Sequence, residues 1–184
     1  MKFINALFVF ILLFSSCKSS ETNNINNKEE SKKQELLAKI SLFEKKGLKS
    51  STGIEKSDRD SLINALNNFY YAFPKDKKTQ FCLDKLQMIY SSKENYKKCS
   101  EYLDIIIQNF PKYVNRPLII EAQAANYDIF IQPRDSSKVR LFYNLLLSEN
   151  PNLEKEKKNN ILRRLENNHL NFSQYLQLLK EQGN

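Results

Sequence analysis

Apolar and aromatic side chains recur at fixed distances before three prolines: Pro74 in YAFPKD, Pro111 in QNFPKY and Pro151 in SENPNL. Twelve residues before each proline stand Leu62, Cys99 and Val139; nine before, Ala65, Tyr102 and Phe142. Eight before stand Leu66, Leu103 and Tyr143; five before, Phe69, Ile106 and Leu146; four before, Tyr70, Ile107 and Leu147. This spacing is i, i+3, i+4, i+7, i+8, the stripe of an amphipathic helix rather than the alternation of a strand. The position seven before each proline is polar: Asn67, Asp104 and Asn144. The run IIIQNFPKY at 105–113 therefore ends a helix, because proline and the residue before it resist helical continuation. Ile106 and Ile107 belong to the stripe. Ile105 lies off it and is expected to pack on the next repeat.

Between these helices the same period places others. Lys78–Ser91 carries Leu83, Leu86 and Tyr90 at helical spacing. Pro117 suits the first turn of a helix continued by Ile120, Ala124 and Tyr127. The connections at 91–95 (SSKEN) and 132–135 (QPRD) are short. The pattern predicts an all-α chain of antiparallel helix pairs with a period of 37 to 40 residues. One pair cannot hide its own apolar face, so neighbouring pairs must stack. A lead helix is expected over Ser31–Lys46, with Leu36, Leu37, Ile40 and Phe43 inward, then a loop over 47–53. A closing helix is expected over Phe172–Gln182, with Phe172, Tyr175, Leu176 and Leu179 on one face.

With Pro111 as a closing proline, Leu83, Leu86, Gln87, Tyr90, Cys99, Leu103 and Ile106 fall on the signature positions of tetratricopeptide (TPR) repeats, which residues 57–166 resemble. Four departures are visible: Gln87 in place of glycine, Leu83 of tryptophan, Leu103 of an aromatic residue and Ile106 of alanine. The resemblance implies a TPR-like α-solenoid in which the first helix of each pair lines a concave groove. It also implies partner-binding positions at Asp84, Lys85, Met88, Glu121, Ala125 and Asp128. These six do not reproduce a carboxylate-clamp pattern.

The first residues carry an address. Met1–Lys2 is a positive head, and Phe3 to Phe14 is an apolar run too short for a membrane span of about 20 residues. Phe14-Ser15-Ser16-Cys17 resembles the lipobox of bacterial lipoproteins, apart from Phe14 where leucine is usual. The resemblance implies a signal peptide over 1–16 and a covalent lipid on Cys17. Residues 17–34 contain a single aliphatic side chain, Ile25, beyond the cysteine and read as a flexible tether. The helical domain then occupies 35–184. The whole layout resembles small TPR lipoproteins of the Bacteroidota, and loosely the periplasmic TPR proteins of the Tol–Pal and outer-membrane assembly systems. That likeness implies attachment to the bacterial outer membrane, facing the periplasm. Lys18 after the cysteine supplies no acidic retention signal.

Composition narrows the chemistry. The chain carries a formal charge of +8, but nucleic acid is no expected partner for an exported protein. With three glycines and no glycine-rich loop, phosphate cradles are excluded. His169 is the one histidine, placed between two predicted helices. No clustered metal ligands and no nucleophile elbow occur, so neither a metal, nor a cofactor beyond the lipid, nor an enzyme activity is expected. Cys82 and Cys99 are expected as separate buried thiols. The expected function is a membrane-anchored scaffold that binds an envelope protein or peptide. The alternative is a structural, self-associating envelope protein that contacts cell-wall polymer through its basic surface.

Overall fold

The computed structural model describes residues 19–49 and 54–183, with side chains from Asn27 onward except 48 and 49. All regular structure among them is helical: α1 (Ser19–Lys49), α2 (Lys56–Ala72), α3 (Thr79–Ser92), α4 (Tyr96–Asn109), α5 (Arg116–Ala125), α6 (Ser136–Glu149), α7 (Lys155–Glu166) and α8 (Phe172–Glu181). A π-helical turn, Asn126–Phe130, extends α5. The described residues form two compact units that meet in the chain between Ala65 and Leu66.

In the first unit, α1 buries Leu36 and Ile40 and half-buries Leu37 and Phe43, the face expected of a lead helix. Its extent differs from expectation. The helix begins at Ser19, so residues 19–34 of the segment expected as a flexible tether are helical, and it runs past Lys46 to Lys49 into the expected loop. The loop residues 50–53 and Cys17 lie outside the described residues. From Asn27 to Glu35 every side chain except Lys33 is exposed. Local i,i+4 pairs hold that stretch: Gln34 Nε2 donates to Glu30 Oε1 at 2.7 Å, and Lys39 Nζ to Glu35 Oε1 at 2.6 Å. Such pairs contribute only about 0.2–0.5 kcal/mol each. Amides of residues 19–35 are therefore expected to exchange with deuterium at near-peptide rates while those of α3 to α6 stay protected. Equal protection in both would show that tertiary contacts hold the polar half. Near the other end of α1, Lys46 Nζ donates to Asp58 Oδ1 at 2.7 Å, tying it to the first turn of α2. Gly47 lets Ile54 approach closely, since a Cβ there would lie 3.3 Å from Ile54 Cβ.

In the second unit, consecutive helices from α3 to α7 pack on one another. The three proline turns share one geometry. The N–H groups of Phe73, Phe110 and Asn150 donate to the carbonyls of Phe69, Ile106 and Leu146, at 2.9, 2.9 and 3.1 Å. Two residues beyond each proline, Asp76, Tyr113 and Leu153 donate back to Phe73, Phe110 and Asn150, at 3.0, 3.1 and 3.1 Å. Phe69, Ile106 and Leu146, one turn before each proline, are fully buried. Arg116 clamps one of these turns: it donates to the Ile107 carbonyl at 2.7 Å and forks onto Glu149 at 2.6 and 2.8 Å.

The core of the third helix pair joins Ile120, Ala124 and Tyr127 to Val139, Phe142, Leu146 and Ile161. Ile107 and Leu145 pack against it. Ile105 is half-buried and is not among the residues packed there, so Ile107 rather than Ile105 joins α4 to this core.

The α3–α4 connection is a Schellman turn, in which Asn95 N–H donates to the Tyr90 carbonyl and Glu94 N–H to that of Ser91, both at 2.9 Å. It forces Glu94 into the left-handed region, φ 56°. A side chain there costs roughly 1 kcal/mol. Glu94→Gly is expected to raise the midpoint of thermal unfolding by a few degrees. A fall in that midpoint would show that the side chain contributes more than the backbone strain costs.

Candidate functional site

The π-helical turn is where α5 gains its chemistry. Tyr127 and Asp128 are both buried on this turn, and such turns recur at functional positions. The Asp128 carboxylate is wholly buried and meets two guanidinium groups. Arg164 of α7 donates from Nε to Oδ2 at 2.7 Å and from Nη2 to Oδ1 at 2.6 Å. Arg134, in the α5–α6 connection, donates from Nε to Oδ1 at 2.8 Å. The remaining donors reach oxygens on the α7–α8 connection. Arg134 bonds the carbonyl and the side-chain oxygen of Asn168, at 2.9 and 2.7 Å. Arg164 bonds the carbonyls of Asn167 and Leu170, at 2.8 and 2.9 Å. Asn168 Nδ2 completes the circuit by donating to the Ser136 carbonyl at 2.8 Å. Arg164 also lies over the Tyr175 ring, 4.8 Å from its centroid, which seats α8. Two cations share one anion, and backbone carbonyls stabilise the surplus charge.

Beside this hub runs a groove of about 710 Å3. Glu121 and Ala125 of α5 and Tyr143 of α6 line it, together with α7 from Glu156 to Arg164. Phe172, Tyr175, Leu176 and Leu179 of α8 form its apolar wall. Leu176 stays 42% exposed, so α8 leaves part of its apolar face open to the groove. Glu121 Oε2 accepts from Lys157 Nζ at 2.5 Å across the groove. The Tyr143 hydroxyl has no hydrogen-bond partner among the described residues, and burial together with the nearby Asp128 carboxylate pushes its pKa up to about 12.

Glu121 and Ala125, two of the positions expected to face a partner, thus line one groove. Lys85 and Met88 lie apart from that groove on the open face of α3, where Met88 is 61% exposed. Asp84 shares that helix but is half-buried and engaged. It accepts from the Tyr113 hydroxyl at 2.5 Å, from Gln87 Nε2 at 2.8 Å and from Asn115 Nδ2 at 3.3 Å. Burial and the Asp84 carboxylate hold the Tyr113 phenol well above its ordinary pKa. Asp128 corrects the expectation outright: with no exposed side-chain area it cannot touch a partner, and its role is to hold α5, α7 and α8 together.

Other buried polar groups also sit in apolar register. Gln123 Nε2 donates to Asp104 Oδ1 at 2.6 Å and to the Ser100 carbonyl at 3.2 Å, and burial raises the Asp104 pKa. Cys82 and Cys99 are buried and not joined in a disulfide, and His169 is exposed. Among the described residues no group of three or more His, Cys, Asp or Glu side chains could hold a metal ion. None of their helices is long and apolar enough to cross a membrane. No family model, curated protein or solved structure matches the chain.

Proposed function

We propose that this protein is a bacterial envelope lipoprotein, anchored to the outer membrane through a lipid on Cys17 and facing the periplasm. Its TPR-like helix pairs act as a scaffold that binds a protein or peptide segment and catalyses nothing. The observation that carries the binding half of this reading is the groove bounded by α5, α7 and α8. It is open, walled by the unfinished apolar face of α8, and lined by two of the positions at which a repeat of this kind meets its partners. An apolar groove with a few fixed polar groups is the usual form of a peptide-recognition surface. The FSSC motif behind a short apolar run supports the anchor.

Two experiments separate the halves. Cys17→Ser should leave an unprocessed precursor or move the protein to the soluble fraction, and unchanged processing with unchanged membrane attachment would refute the anchor. A photo-crosslinking amino acid at Leu176, in cells, should give one discrete protein adduct that the same label at exposed Leu141 does not give. Identical adducts from both positions would refute a specific groove.

A further inference from the structure

The groove bounded by α5, α7 and α8 has a direction, and this deepens the scaffold reading on which it rests. At one end, Glu154 and Glu156 stand at the start of α7 with no ion pair among the described residues. At the other end stands Arg163, also without an ion pair there, next to the Asp128 hub with its surplus positive charge. Between them lie the apolar side chains of α8, and the unpartnered Tyr143 hydroxyl lines the groove near the Asp128 hub. Glu121 and Lys157 neutralise one another and leave this polarity intact. From Glu156 to Arg163 is two turns of α7, about 10 Å.

We propose that the groove binds a short peptide segment carrying a cation at one end, apolar side chains in the middle and a carboxylate at the other. The cation meets Glu154 and Glu156, the apolar side chains pack on Leu176 and Leu179, and the carboxylate accepts from the Tyr143 hydroxyl and Arg163. An extended segment of three residues spans about 10 Å, which matches the separation of the two charged ends. Neither an all-acidic nor an all-basic segment satisfies both ends, because each places like charges together at one of them. Orientation follows from the charges, since a reversed segment sets its carboxylate against Glu154 and Glu156.

The test uses four-residue peptides, dye-labelled on the N-terminal amine, with a lysine first, then leucine, alanine and leucine. One ends in a free carboxylate, one in an amide, and in one norleucine replaces lysine. Fluorescence anisotropy with the folded protein should give a dissociation constant below about 1 mM for the first peptide. The amide and norleucine peptides should bind at least about fivefold more weakly. Tyr143→Phe should weaken the carboxylate peptide about fivefold or more and leave the amide peptide nearly unchanged. Glu154→Gln with Glu156→Gln should weaken the lysine peptide and spare the norleucine peptide. No binding of the first peptide up to about 1 mM, or equal binding of all three, overturns the proposed chemistry. If a discrete adduct still forms from Leu176 in cells, the scaffold reading survives that failure; if neither is seen, both fall.

Discussion

Replacing Asp128 by alanine is expected to cost about 3–5 kcal/mol of stability, because it removes the single carboxylate that two buried guanidinium groups share. The side chains of Arg164 and Arg134 are only 4% and 11% exposed, so water cannot take the place of the lost oxygens without opening the packing. The hydrogen bonds from these arginines to Asn167, Asn168 and Leu170 hold the α7–α8 connection, so the loss should spread to α8. Urea unfolding should show the midpoint falling by about 1 M or more. Hydrogen exchange should rise in Phe172–Glu181 before it rises in α3 and α4. Replacing Asp128, Arg134 and Arg164 together by apolar residues of similar volume should recover much of the loss, because the penalty lies in uncompensated charge. If Asp128→Ala costs less than about 1 kcal/mol, the guanidinium groups have found water or a rearranged partner, and the hub is not what seats α8.

The repeated stripe was legible in the sequence because its cause is local. A helix turns every 3.6 residues, and proline ends it wherever proline occurs, so three equal spacings before three prolines carry the architecture. The hub was not legible, for a physical reason. A charged residue on a helix is ordinarily solvated, and the TPR resemblance sets Asp128 among partner-facing positions. Yet Asp128 follows Ala124 by four residues and continues the apolar register of Ile120 and Ala124, while Arg164 follows Ile161 by three. An acid in one core stripe and an arginine in the next are a signal of a buried pair. What no local spacing records is that these two meet across 36 residues of chain. Tyr143 is a related case: its place in the stripe marks it as core, and only the position of α8 makes it line a groove. The helix over 19–34 carries no apolar stripe, since Ile25 is its one aliphatic side chain, so no periodicity announces it. Composition records the shortage of apolar side chains, but not the conformation that local pairing favours.

Ile106 and Ile105 make the sharpest test of the helical reading, since a strand and a helix assign these neighbours opposite roles. In a half-buried strand Ile105 and Ile107 would share one face and Ile106 the other. In α4, Ile106 is fully buried and both neighbours are half-buried. Ile106→Ala is expected to cost about 2–5 kcal/mol, the range for a fully enclosed aliphatic side chain that leaves a cavity. Leu146→Ala, at the equivalent place in the next repeat, should cost a similar amount, because both side chains are wholly buried and both sit one turn before a proline-ended helix. Ile105→Ala should cost about 1 kcal/mol, since its side chain is only half-buried and is not among those packed against the following core. Ile107→Ala should fall between, because it packs against the following core and its loss would loosen one repeat on the next. Denaturant midpoints for the four variants give the order directly. An Ile105 variant as damaging as the Ile106 variant would mean that α4 presents a different face to its neighbours. The register shared by the three proline turns would then be wrong, and with it the placing of Glu121 and Ala125 in the groove.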